Sequence, residues 1–192
     1  MFLIIKLLFL AENPTIKLQP SVLIENGTAV FQCEAKYGGP GKENMTADHF
    51  PYLKMFYTHD PAVELLAVDK TVNHILIKEY TTTINGNMDE WKLSCEFGTN
   101  QPRKKVTKDE TLNILYHPRN ISYEPKGSKY LVTNKITCFA KGNPAPIFEW
   151  RGETGNVQHG SILNITKDMI GDNKWTCTAR NSIEGKSKQI DV

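Results

Sequence analysis

The sequence predicts an all-β protein built as two tandem β-sandwiches. Short apolar alternations separated by glycine, proline and asparagine recur along the chain, and no segment shows a helical stripe. Its 192 residues are long for one sandwich of about 100 residues and fit two. The four cysteines, Cys33, Cys95, Cys138 and Cys177, fall two in each half, and Trp150 stands twelve residues after Cys138.

The elements follow in order. Residues 1–13 open with an apolar run, MFLIIKLLFLA, which reads either as the remnant of a signal peptide or as an apolar first strand. Lys6 interrupts it and Phe9 sits where a small residue should precede cleavage. It is too short to span a bilayer, and the rest of the chain offers no membrane segment. The expectation is a secreted chain or a piece of a longer membrane protein. The first domain is placed at residues 14–116. Thr28 to Ala35 alternates Ala29, Phe31, Cys33 and Ala35 on one face, Lys36 to Pro51 is a long polar loop, and Tyr52 to Thr58 and Ala62 to Val68 are further strands. His74 to Thr83, Glu90 to Phe97 and Lys105 to Tyr116 complete the set. The second domain, residues 117–192, has strands at Tyr130 to Ala140, Ile147 to Trp150, Ser161 to Thr166, Lys174 to Asn181 and Gly185 to Val192. The short interval between its cysteines leaves little room for edge strands, which argues for a constant-like or intermediate-set sandwich.

The sequence argues against several function classes. A formal charge of +2 makes no case for nucleic acid as a partner. No cysteine pair has CxxC spacing, so a zinc or thioredoxin-like site has nothing to stand on, and the expectation is a chain with no metal and no cofactor. The five histidines (His49, His59, His74, His117, His159) are scattered over different predicted loops and strands, and no HExxH, GxSxG or phosphate-loop motif occurs. The expectation is a protein that is not an enzyme and has no catalytic residues.

Residues Cys138 to Asn181 resemble an intermediate-set or C2-type immunoglobulin domain of neural cell-adhesion or nephrin-like receptors. The motifs are CFAKGNPAPIFEW (Cys138 to Trp150) and WTCTARN (Trp175 to Asn181), the latter preceded by LNI at Leu163 to Ile165. Trp175 replaces the tyrosine that usually stands two residues before the second cysteine. The first domain resembles the same superfamily more loosely, by order of elements. It has no tryptophan near twelve residues after Cys33, so Met55 or Phe56 is expected to fill that volume, and Trp91 is displaced to four before Cys95. Four cysteines allow three pairings. The resemblance implies Cys33 with Cys95 and Cys138 with Cys177, the pairing that keeps each bridge within one domain, and it places Trp150 and Trp175 in the second core.

The resemblance also implies a non-catalytic extracellular module for recognition or cell adhesion, secreted or part of a plasma-membrane ectodomain. Its partner would be a cell-surface or extracellular protein, a second copy of the chain included, with a glycan as a further ligand class. A soluble innate-immune recognition protein and a structural spacer of a larger receptor are the alternatives. Four N-glycosylation acceptors, Asn26, Asn44, Asn120 and Asn164, support a glycoprotein. Arg103, Lys104, Lys105 and Lys108 fall where variable-type domains place a ligand-contacting hairpin, and are the candidate partner-binding residues.

Overall fold

The computed structural model describes residues 13–38, 51–60, 64–99, 104–127, 129–169 and 174–192, with residues 104 and 187–190 described by backbone alone. The apolar run at residues 1–12, most of the polar loop after Lys36, and Asn44 lie outside the described residues. The chain divides into two compact units, Met1–Ile114 and Leu115–Val192.

The first unit contains β1 (Thr15–Gln19), β2 (Leu23–Ile24), β3 (Thr28–Lys36), β4 (Pro51–Tyr57), β5 (Val68–Val72), β6 (Ile75–Thr83), β7 (Lys92–Thr99) and β8 (Lys104–Thr111). One sheet runs β1-β3-β6-β5 and the other β4-β7-β8, with antiparallel neighbours throughout. Strand alternation explains the core. In β3, Ala29, Phe31, Cys33 and Ala35 are buried, and in β7 Leu93, Cys95 and Phe97 face them. The Cys33–Cys95 disulfide ties the two sheets. Met55, fully buried, stands opposite Cys95 in register and fills the volume where a tryptophan would go, whereas Phe56 is only half-buried. A tight turn precedes β3. Asn26 adopts φ 68°, a left-handed conformation that asparagine tolerates better than most residues; its N–H donates to the Ile84 carbonyl, and the Ile84 N–H donates to the Gly27 carbonyl.

One expected strand is corrected. Of Ala62 to Val68, residues 61–63 lie outside the described set, Glu64 makes only an isolated bridge to Phe56, and the strand is Val68–Val72 instead. The Leu65–Leu66 pair misled the reading: Leu65 packs into the core, while Leu66 is 96% exposed. The predicted strand from Lys105 to Tyr116 is also two elements, because Leu112 and Asn113 interrupt it.

The last of these is β9 (Ile114–Glu124), which runs on into the second unit. There follow β10 (Lys135–Asn143), β11 (Ile147–Gly152), β12 (Val157–His159), β13 (Ile162–Asn164), β14 (Trp175–Ile183) and β15 (Lys186–Asp191). One sheet holds β9, β10 and β13, and the other runs β12-β11-β14-β15. In a constant-type sandwich the fourth strand sits on the opposite side. Here β12 joins the sheet of Trp150, so the constant-like expectation gives way. Tyr130 to Asn134, expected as strand, is a turn: the Tyr130 hydroxyl donates to the Pro125 carbonyl and the Leu131 N–H to Asn134 Oδ1.

The Cys138–Cys177 disulfide joins β10 to β14. Trp150 is buried opposite Cys177, and its Nε1–H donates to the Ser161 carbonyl at 3.1 Å. Burying the indole therefore leaves no polar atom unpaired. Trp175 is a correction. It lies two residues before Cys177 and so on the inward side, but its register partner is Gly152, the last residue of β11. At the end of the sheet it is only half-buried, packed against the core rather than within it. Asn181 is the buried polar anchor of this unit. Its amide donates to the carbonyls of Tyr116 (3.0 Å) and Pro144 (2.8 Å), and His117 Nδ1 lies 3.0 Å from its Oδ1.

Candidate recognition site

The outward face of β4, β7 and β8 is built by register. Tyr52 stands opposite Gly98, and Gly98 opposite Lys105; in the next row Lys54 stands opposite Glu96, and Glu96 opposite Thr107. With only hydrogen at Gly98, long side chains from both outer strands can converge on Glu96. Tyr52 donates its hydroxyl to Glu96 Oε1 at 3.0 Å, and Lys105 Nζ reaches Oε2 at 3.0 Å. Lys54 Nζ lies 5.5 Å from the Tyr52 ring centroid, within cation–π range. Partial burial works against ionisation of Glu96, but the bonds from Lys105 and Tyr52, with the Lys54 charge nearby, outweigh it. Its carboxyl is held below the ordinary glutamate value. In the following row Ser94, which is buried, donates to Asp109 Oδ1 at 2.7 Å and meets the Thr58 hydroxyl at 2.8 Å.

The four basic residues expected here do not form one cluster. Arg103 lies outside the described residues, and Lys104 is a strand residue opposite Thr99. Lys105 and Lys108 are both exposed, but alternation sends them to opposite faces of β8. Lys108 stands opposite the inward-facing Cys95. Of the pair, Lys105 alone belongs to the constellation, and it arrives paired with a carboxylate.

The corresponding face of the second unit escaped sequence reasoning. Glu149, Arg151, Thr178, Arg180 and Asp191 line a shallow hollow of about 550 Å³. Arg151 donates to Glu149 at 2.8 Å, His159 Nδ1 lies 3.5 Å from the same carboxylate, and Thr178 donates to Asp191 at 2.7 Å. The Arg151 bond above all, and then the Arg151, His159 and Arg180 charges, lower the Glu149 carboxyl against a smaller opposing effect of desolvation. The signal was present as polar alternation at 149/151 and 176/178/180.

Of the acceptor asparagines, Asn26, Asn120 and Asn164 are exposed. Asn164 is turned outward because Leu163 beside it is buried. Among the described residues no group of His, Cys, Asp or Glu side chains is arranged to hold a metal ion.

No family model matches the chain. Solved structures do resemble it. The full Ig1–Ig3 ectodomain of mouse nectin-like molecule 4 superposes with a TM-score of 0.68 at 14% identity, over 96% of this chain and 64% of that one. A chain of the complex between Dpr2 Ig1–Ig2 and DIP-Theta Ig1–Ig3 superposes with a TM-score of 0.52 at 17% identity, over 94% of this chain and 65% of that one. This chain thus spans just under two thirds of each. Together with the two disulfide-tied sandwiches, these likenesses define the fold: two tandem immunoglobulin-like domains, one disulfide in each.

Proposed function

We propose that the chain is a non-catalytic extracellular recognition module, acting in cell adhesion or as part of a receptor ectodomain, with domains at residues 14–116 and 117–192. Both disulfides suit an oxidising compartment. The observation that carries the reading is the Tyr52–Glu96–Lys105 constellation, with Lys54 beside it, on the outward face of β4, β7 and β8. An aromatic ring and mutually oriented charges on rigid strands give a partner a surface whose side-chain ordering is largely complete before contact. We take the acceptor asparagines Asn26, Asn44, Asn120 and Asn164 to carry glycans; of these, the described ones, Asn26, Asn120 and Asn164, lie off these three strands. Dpr2 and DIP-Theta, one of the similar structures, form a complex as immunoglobulin-domain chains, which supports a protein partner here.

The test is a binding screen of the secreted chain against cell-surface ectodomains, itself included. A genuine partner loses about 2 kcal/mol or more of affinity with Tyr52→Ala, the scale of an aromatic hot spot. Lys54→Glu with Lys105→Glu slows association and reduces its salt sensitivity, and because Lys105→Glu also loses the pairing with Glu96, folding of the variant is checked by melting. Binding that is unchanged in both variants moves recognition to another surface.

A further inference from the structure

The outward face of the β9, β10 and β13 sheet exposes two large apolar side chains, Phe139 at 47% and Ile162 at 43%. Ile162 stands opposite Thr137, and Phe139 lies two residues further along β10. They are diagonal neighbours, close enough for an aromatic ring to reach across. Each has an acceptor asparagine nearby. Asn164 follows Ile162 by two residues on β13, with buried Leu163 between them, so the two share the outward face. Ser122 stands opposite Phe139, and Asn120, exposed and at φ 54°, is two residues from Ser122 on β9. A shallow depression of about 550 Å³, lined by Glu124, Pro125, Lys126, Lys135, Thr137 and Phe139, lies on the same sheet.

We propose that the chain's own N-linked carbohydrate covers this face, the inner sugars on Asn120 and Asn164 packing against Phe139 and Ile162. The chemistry matches. A pyranose with equatorial hydroxyls presents a flat face of C–H groups, slightly electropositive, which suits the negative face of an aromatic ring. Glu124 and Lys135, which line the same depression as Phe139, supply an acceptor and a donor for the hydroxyls at the rim. An apolar pair left bare would invite association, and sugars held against it remove that surface from water without a protein partner. The face of this unit left open to a partner is then the opposite one, with Glu149, Arg151 and Arg180.

The inference rests on the reading that these acceptors are used, and the experiment separates the two. The full chain is secreted from eukaryotic cells and occupancy at Asn120 and Asn164 is read by peptide mass spectrometry. The glycosylated form, an enzymatically deglycosylated form, and the sequon variants Ser122→Ala and Thr166→Ala are then compared by melting and by binding of a hydrophobic dye. Deglycosylation is expected to lower Tm by about 2–4 °C, the size of a fraction of a kcal/mol in a domain this small, and to raise dye fluorescence. In the Phe139→Ser, Ile162→Thr double variant both differences vanish. Occupied sites whose removal changes neither readout overturn the covering role alone. Unoccupied sites overturn the glycoprotein reading with it. A glycosylated chain that binds dye as strongly as the deglycosylated one shows the face to be open, which also overturns the proposal.

Discussion

Met55 and Trp150 occupy the same station in the two units, each opposite the second cysteine of its bridge, Cys95 and Cys177 respectively. One is a flexible thioether, the other a rigid indole that spends its single donor on the Ser161 carbonyl. The surroundings account for the exchange. The first unit's core holds Phe31, Phe97, Leu23 and Leu93 as well as Met55, all fully buried. The second unit's described core is far leaner, with Ile136, Leu163 and Met169 beside the disulfide. The station needs volume against the bridge rather than an indole as such, and a core rich in phenylalanine supplies it from the side. The strand layout differs in the same sense. The strand that follows that of Met55, β5, joins the sheet of β6, whereas the strand that follows that of Trp150, β12, joins the sheet of Trp150.

That comparison is tested first by truncation. Trp150→Ala is expected to cost about 3–5 kcal/mol, because the lean core cannot close over the cavity. Met55→Ala should fall toward the lower end of the about 2–5 kcal/mol range for such truncations, since larger neighbours can shift into the space. Chemical denaturation read separately at each unit checks the order, and a larger loss at Met55 would break the argument. A smaller effect is expected from the polar anchor of the second unit, Asn181. Asn181→Ala leaves the carbonyl of buried Tyr116, and that of Pro144, without their donor, at a cost of about 1–3 kcal/mol, visible as a lower melting point of the second unit only. The smallest effect concerns pH. The lowered Glu96 carboxyl contributes stability that is fully present above its ordinary value of 4.5 and is lost as pH falls through the folded-state value. Glu96→Gln should therefore flatten the acid limb of the first unit's stability curve, and acid titration of both proteins followed by circular dichroism would show an unchanged limb if the pairing contributes nothing.

What could be read in advance follows the same physics. The second unit was legible because a tryptophan and two cysteines at fixed spacing are rare residues with one shared task. Strand β3 was legible because one of its faces is entirely buried. Strand β5 was not: all five residues are exposed, so no apolar alternation marks it, and the neighbouring leucines drew the reading away. The Tyr52–Glu96–Lys105 constellation depends on which residues of three strands stand side by side. A one-residue slip in register would scatter it to opposite faces, and nothing in the local sequence fixes that register. The expectation of a hairpin after the strand of Cys95 therefore grouped Lys105 with Lys108, which the pleat separates.

Strands β5 and β8 each end the order of their sheet, and both are dressed in charge: Asp69 and Lys70 on one, Lys105, Lys108, Asp109 and Glu110 on the other. Each presents a row of backbone groups that a stray strand from another molecule could zip onto. Such zipping would strip water from these ions, and the chain resists it at every step. At these two edges, growth of a continuous sheet is thereby opposed, and contact through the side chains of the sheet faces becomes the easier mode of association there.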